Sequence, residues 1–257
     1  MATRYFIQLS YNGKSFHGWQ LQENAVTVQE VVNKGLSTIL RENINVVGAG
    51  RTDSGVHARF FVAHFDISSP ISDKDLILNK INKILPGDIA VQGFFNVIPG
   101  ANARFDAISR TYEYHITPFK NPFLRDFAWY YKVPLNVEKM NEAAQLLVHY
   151  QDFTSFSKLG TQVATNNCKI LKAHWSNQNE RLVFTIKADR FLRNMVRAIV
   201  GTLIDVGLEK ITKQKFQEII EHKNRSLAGF SVPAHGLFLT EIEYPNHLFI
   251  DDFQIKF

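Results

Sequence analysis

The sequence predicts an α+β fold built from two similar halves, about residues 1–105 and 106–257. Three observations carry this. The 257 residues suit one large domain or two of roughly 100–150 residues each. Strand-type runs alternate with helix-type periodicity in both halves. No Gly/Ser-rich or Pro-rich linker separates them, so two sheets are expected that are continuous or packed side by side.

The elements follow in order. Arg4–Tyr11 alternates apolar and polar residues and reads as a strand. Thr27 and Glu30 have the spacing of a capping box, which opens a helix to about Arg41 with Val28, Val31, Val32 and Leu36 on its apolar face. Ile44–Ala49 and Phe60–Ile67 read as strands. A helix from about Asp73 to Leu85 presents Leu76, Ile77, Ile81 and Ile84, and Pro86-Gly-Asp88 turns the chain into a strand over Ile89–Val97. In the second half Arg110–Thr117 is a strand with Tyr112, Tyr114 and Ile116 on one face and Glu113 and His115 on the other. Asn136–Tyr150 is predicted helical, and Gln151–Asn167 is polar, without pattern, and read as a loop. Lys169–Ser176 and Arg181–Lys187 form a hairpin, Phe191–Val206 and Thr212–His222 are helices, and Leu237–Tyr244 is a closing strand.

Composition excludes several classes. With 45% apolar and 21% charged residues the chain is an ordinary globular protein, and at this length it can bury about 70–75% of its unfolded surface without a covalent staple. The single cysteine, Cys168, excludes an internal disulfide and a cysteine-based metal cluster, and fits a reducing compartment. The opening residues carry no apolar signal core, and no apolar run approaches the ~18 residues of a membrane span. A cytoplasmic protein is the expectation. The nine histidines show no metal-ligand spacing, and no metal site is expected. A net charge of +5 leans toward an acidic partner, of which nucleic acid is the commonest.

The densest unusual segment is Gly48–Ala58, with three glycines in eight residues after a strand. It is not a dinucleotide fingerprint, because Asp53 stands where the third glycine is needed. Nor is it a phosphate loop, because Val56 and His57 follow Gly55 where Lys and Ser or Thr are required. What remains is Asp53 at the tip of a loop, two residues after Arg51. Such a carboxylate is either a reactive base or nucleophile held ionised by a cation, or the cap of its own Asx-turn. Arg190, Arg193 and Arg197 recur at i, i+3 and i+7 opposite an apolar stripe. They form either a solvated face or an anion contact, and one of them could pair with Asp53. Among the aromatic residues, Tyr112 stands out because it follows Arg110 at the start of a strand, where a ring can stack on an unpaired base.

Gly50-Arg-Thr-Asp-Ser-Gly-Val-His-Ala58 resembles the GRTDAGVHA signature of the A-type tRNA pseudouridine synthases, with Ser54 in place of the usual alanine. Six further elements resemble that family in the same order: Tyr11-Asn-Gly13 with Phe16-His-Gly-Trp-Gln20, Leu85–Ala90, Ala103-Arg-Phe105 with Arg110–Tyr114, Asp152–Phe156, Phe191–Gly201 and Pro233–Leu237. Arg190-Phe-Leu-Arg-Asn194 departs from family versions that carry a histidine here.

The resemblance implies an active-site cleft between two α+β halves on antiparallel sheets. It implies isomerisation of a flipped-out uridine to pseudouridine in the anticodon stem-loop of tRNA, at about positions 38, 39 and 40. No metal and no organic cofactor take part, and two chains form a homodimer across which the tRNA lies. Carried over, Asp53 is the catalytic aspartate and Tyr112 stacks on the uracil. Arg51 helps hold the flipped nucleotide or the active-site loop, His57 binds the substrate, Arg197 pairs with Asp53, and Arg190 and Arg193 contact RNA. A non-catalytic RNA-binding protein on the same scaffold would not need a carboxylate that repels phosphate. An aspartate-dependent nucleoside hydrolase would need a metal or paired carboxylates.

Overall fold

The computed structural model describes residues 2–158, 160 and 164–250. The chain divides into two compact units, residues 1–108 with those from Leu239 onward, and residues 109–238. The sequence reading placed the last strand with the second half; here Leu239 onward groups with the first.

The first unit holds β1 (Thr3–Tyr11), α1 (Val28–Leu40), β2 (Val47–Gly48), β3 (His57–Ile67), α2 (Lys74–Ile84) and β4 (Ile89–Asn96). β1 lies between β3 and β4 and is antiparallel to both. The alternation read for β1 does not describe its burial: Phe6, Ile7, Gln8 and Leu9 are all buried, as befits a central strand covered on both faces. Thr27 caps α1 by accepting from the Glu30 N–H (3.3 Å), and Arg41 ends it in the left-handed region at φ 54°. Asp73 caps α2 by accepting from the Leu76 N–H (2.8 Å).

The strand expected over Ile44–Ala49 shrinks to the two residues of β2. The physical reason is that side chains of α1 take up the backbone groups before it. Ser37 Oγ accepts from the Ile44 N–H (2.9 Å), Asn33 Oδ1 accepts from the Val46 N–H (2.9 Å), and Gln29 Nε2 donates to the Val46 carbonyl (2.8 Å). A buried backbone group needs a partner, but not a strand partner.

The second unit holds β5 (Ser109–Thr117), β6 (Trp129–Tyr130), α3 (Val137–Ala144), β7 (Ile170–Gln178), β8 (Arg181–Ala188), α4 (Met195–Gly207) and α5 (Lys213–Glu221). A closing strand, β9 (Leu237–Glu243), runs on into the residues of the first unit. β8 lies between β5 and β7, antiparallel to both, while β6 runs parallel to the end of β5. Asn179 and Glu180 join β7 to β8 with positive φ at both positions (46° and 63°), as a tight two-residue hairpin turn requires.

Three expectations are corrected in this unit. The helix over Asn136–Tyr150 is α-helical only to Ala144 and tightens to a 3₁₀ turn over Gln145–His149. Part of the loop read over Gln151–Asn167, namely Leu159 and Thr161–Val163, lies outside the described residues. Its first part is core: Phe153 and Phe156 are fully buried around a 3₁₀ turn at Thr154–Phe156. The helix over Phe191–Val206 begins only at Met195, because Asn194 takes a left-handed conformation (φ 66°) that cannot propagate a right-handed helix. Among the described residues no helix is long and apolar enough to cross a membrane.

Two outcomes are expected from this packing. Gln29 is buried, accepts from the Leu21 N–H (2.9 Å) and donates to Val46. Gln29→Leu orphans both backbone groups, and urea denaturation is expected to show a loss of about 1–3 kcal/mol for each. His64 is buried, and its Nδ1 accepts from the Ala103 N–H (3.1 Å), which requires the ring to be unprotonated there. Burial, aided by the Arg4 charge, lowers its pKa from 6.5 to about 4. The unfolded chain then binds the extra proton first, so this stabilisation is complete above 6.5 and is lost as pH falls toward about 4. His64→Asn keeps an acceptor and removes the titration; its urea midpoint is expected to fall less between pH 6.5 and 4.5 than that of the wild type.

Candidate active site

In the first unit the loop from Gly50 to Val56 joins β2 to β3 and carries Asp53 half-buried at its turn. Local hydrogen bonding shapes it only in part: the Val56 N–H donates to the Asp53 carbonyl (3.1 Å), and Gly55 supplies a positive φ of 77°. The rest comes from the segment that follows β1. The Trp19 N–H donates to the Thr52 carbonyl (3.3 Å), and the Gly55 N–H donates to the Phe16 carbonyl (3.3 Å). The Tyr11 and Thr52 hydroxyls are hydrogen-bonded at 2.8 Å. Ser54 Oγ donates to the Phe16 carbonyl (3.3 Å), so the serine in the usual alanine position fits without displacing the loop.

Two glycines make this approach possible. A Cβ on Gly13 would collide with the Val56 carbonyl, and one on Gly18 would collide with the Thr52 carbonyl. Gly18 also needs its positive φ of 86°. Trp19, next to Gly18, packs on Phe61 with ring centroids 4.1 Å apart and planes tilted by 31°. Asp53 is legible in the sequence, whereas the structural roles of Gly13, Gly18 and Thr52 are not. The Asn12-Gly13 and His17-Gly18 pairs are turn signals that could have flagged the two glycines.

His57 is buried, and its Nδ1 accepts from the Gly13 N–H (3.0 Å). It thereby ties the start of β3 to the same segment, and its place is that of a loop anchor. Arg51 is exposed. Together with Arg104, Gln20 and the backbone of Gly48 and Gly50 it lines a shallow hollow of about 120 Å³ within the first unit. Among the described residues no group of three or more His, Cys, Asp or Glu is placed to hold a metal ion.

In the second unit Tyr112 lies on β5 and is half-buried, with its ring edge-to-face against Phe191 at 5.1 Å. Arg197 lies in the first turn of α4. Its Nε donates to the Val232 carbonyl (2.7 Å), and the Val232 N–H donates to its own carbonyl (3.3 Å). Arg197 is also close enough to Tyr114 to oppose, by its charge, the upward shift that burial imposes on that phenol.

Arg190 and Arg193 do not share a helix face with Arg197, as their spacing suggested, because both precede α4. They lie in the crossing from β8 to α4, which Asp189 organises. Its Oδ1 accepts from the Lys169 and Arg190 N–H groups (2.8 and 2.6 Å), and its carbonyl accepts from Arg110 Nη1 (2.7 Å). Arg190 Nη1 reaches the Thr165 carbonyl (3.4 Å), and exposed Arg193 receives the Lys158 N–H on its carbonyl (3.1 Å). The structure thus places Arg51 and Asp53 on one loop of the first unit and His57 at the start of the strand that follows it. It gathers Tyr112, Arg197 and the Asp189 crossing in the second.

Known proteins resemble the chain closely. A family model described as tRNA pseudouridine synthase matches residues 143–245. The chain is 53% identical over 249 residues to the tRNA pseudouridine synthase A of Bacteroides fragilis, covering 96% of this chain and 99% of that protein. It is 51% identical over 251 residues to that of Porphyromonas gingivalis, covering 96% and 100%, and 38% identical over 240 residues to that of Thermoanaerobacter pseudethanolicus, covering 93% and 98%. Identity at this level over nearly the full length of both partners means that the chain belongs to the tRNA pseudouridine synthase family.

Proposed function

We propose that the protein isomerises uridine to pseudouridine in the anticodon stem-loop of tRNA, at about positions 38, 39 and 40, on a base first flipped out of its stack. The observation that carries this is the 53% identity to a tRNA pseudouridine synthase A over 96% of the chain. The reaction breaks the bond between N1 of uracil and C1′ of ribose, turns the base, and joins C5 to C1′. The proton on C5 leaves and N1 gains one, so the product is an isomer of the substrate. The reading invokes no metal and no organic cofactor.

In this reading Asp53 is the catalytic carboxylate. Its fit to the role is that its loop is braced from outside before any substrate arrives, so little reorganisation remains for the reaction to demand. Tyr112 stacks on the uracil, with Phe191 setting the edge of its ring. Arg197 supplies the guanidinium that pairs with Asp53, a pairing carried by the family resemblance and the opposite charges. Arg51 holds the flipped nucleotide, and His57 serves by anchoring the loop. Arg190 and Arg193 offer positive charge to RNA phosphates. The reading includes a homodimer acting in the cytoplasm.

Unmodified tRNA transcripts labelled with tritium at uridine C5 test this directly. The wild type is expected to release tritium. Asp53→Asn is expected to lose on the order of 10²–10⁴-fold or more in rate while keeping its tRNA affinity and its melting temperature. A folded wild type that binds tRNA and releases no tritium overturns the enzymatic reading in favour of a binding protein. Gly18→Ala keeps every reactive group and displaces the loop from its brace; in variant protein shown to be folded by its melting transition, it is expected to lower the release rate at least about tenfold. Full activity in that variant would show that the bracing of Asp53 is dispensable.

A further inference from the structure

Arg197 is held by a strap, residues 228–233, and the strap is held by Arg225. Arg225 lies in the 3₁₀ turn that follows α5 and has no role in the reading above. Its Nη1 donates to the Ala228 and Gly229 carbonyls (3.3 and 3.1 Å), and its Nη2 donates to Ser231 Oγ (3.0 Å). Three bonds from one planar guanidinium fix the strap at residues 228, 229 and 231. Ser231 Oγ also accepts from Asn194 Nδ2 (2.6 Å), the left-handed residue that starts α4. Farther along α4, Thr202 Oγ1 accepts from the Gly229 N–H (2.9 Å). A Cβ on Gly201 would collide with the Phe230 carbonyl, so the strap lies directly on the helix.

The far end of the strap meets the groups the reading uses. Val232 exchanges two hydrogen bonds with Arg197, through the Arg197 side chain and through its carbonyl. The next residue, Pro233, accepts from the Tyr114 hydroxyl (2.9 Å), and Tyr114 lies on β5 two residues from Tyr112. The strap therefore joins the helix that carries Arg197 to the strand that carries Tyr112. A guanidinium whose Nε is committed to one carbonyl takes its plane from that carbonyl. We propose that Arg225, acting with Ser231, is a positioning residue for isomerisation: it sets the strap at Val232 and so aims Arg197. This rests on the role given to Arg197 above.

The test uses the full-length protein and the tritium-release assay, with tRNA affinity measured separately by filter binding. Arg225→Lys keeps the charge but cannot make the three-bond fork, and Ser231→Ala removes the shared acceptor without touching charge. Both are expected to lower kcat on the order of 10- to 100-fold while KM, tRNA affinity and melting temperature stay within twofold or a few degrees of wild type. In an Arg197→Lys background, which already lacks the Nε bond to Val232, neither change is expected to lower kcat further. A normal kcat in both single variants overturns the proposal. So does a loss that multiplies with that of Arg197→Lys, or one that appears in tRNA affinity instead. A normal kcat in Arg197→Lys and Arg197→Ala overturns the role of Arg197 itself and the proposal with it, and so separates the two failures.

Discussion

The Asp53 loop depends on a contact in which two stretches of backbone meet with no side chain between them. Gly13 and Gly18 lie against the Val56 and Thr52 carbonyls, where any Cβ would force the chains apart. The loop is thus held from a segment more than thirty residues earlier in sequence. That segment is itself fixed: the Val28 and Gln29 N–H groups at the start of α1 donate to the Gly18 and Trp19 carbonyls (3.2 and 3.0 Å). Orphan donors at a helix start are satisfied by the segment that braces the loop. Helix, segment and loop form one unit, with Trp19 and Phe61 as its apolar floor.

The second unit uses the same device with other residues. Gly201 admits the 228–233 strap onto α4, and side chains rather than a sheet hold the strap in place. In the first unit Asp53 sits on a short irregular segment whose backbone groups are satisfied elsewhere; in the second Arg197 sits on a helix, and the irregular strap takes its side chain. A side chain borne on a loop is held less precisely than one on a helix or strand unless supporting bonds fix it, and the bracing bonds supply that support. The cost is that many residues without chemistry of their own become necessary. Deep burial of Trp19, Phe61, Met195 and Ile199 keeps the platforms beneath them rigid.

Regular elements were legible from sequence where local rules act alone. Thr27 caps α1 as its spacing to Glu30 implied, and the helices read from about Asp73 and Thr212 start there with those residues as caps, because a capping side chain needs only a residue three positions on. Asp53 was legible because three glycines crowd one short stretch. What could not be read depends on partners distant in sequence. Nothing in Ile44–Val46 says that Ser37, Asn33 and Gln29 will take its hydrogen bonds in place of a strand. The left-handed Asn194, which cuts the expected helix short and removes Arg190 and Arg193 from it, is held by Ser231 thirty-seven residues later. Tyr112 was legible as an aromatic at a strand start, but its neighbour Phe191 was read as part of a helix.

The Asp53 loop is set before tRNA arrives, by the segment from Tyr11 to Trp19. Hydrogen exchange at four amides measures this most directly. The Gly13, Trp19, Gly55 and Val56 N–H groups each have a defined acceptor in the protein alone. In the free protein they are expected to exchange as slowly as the amides of β1 and β3, with little change when tRNA is added. Rapid exchange in the free protein, slowing only with tRNA, would mean that the substrate organises the loop and would contradict the account.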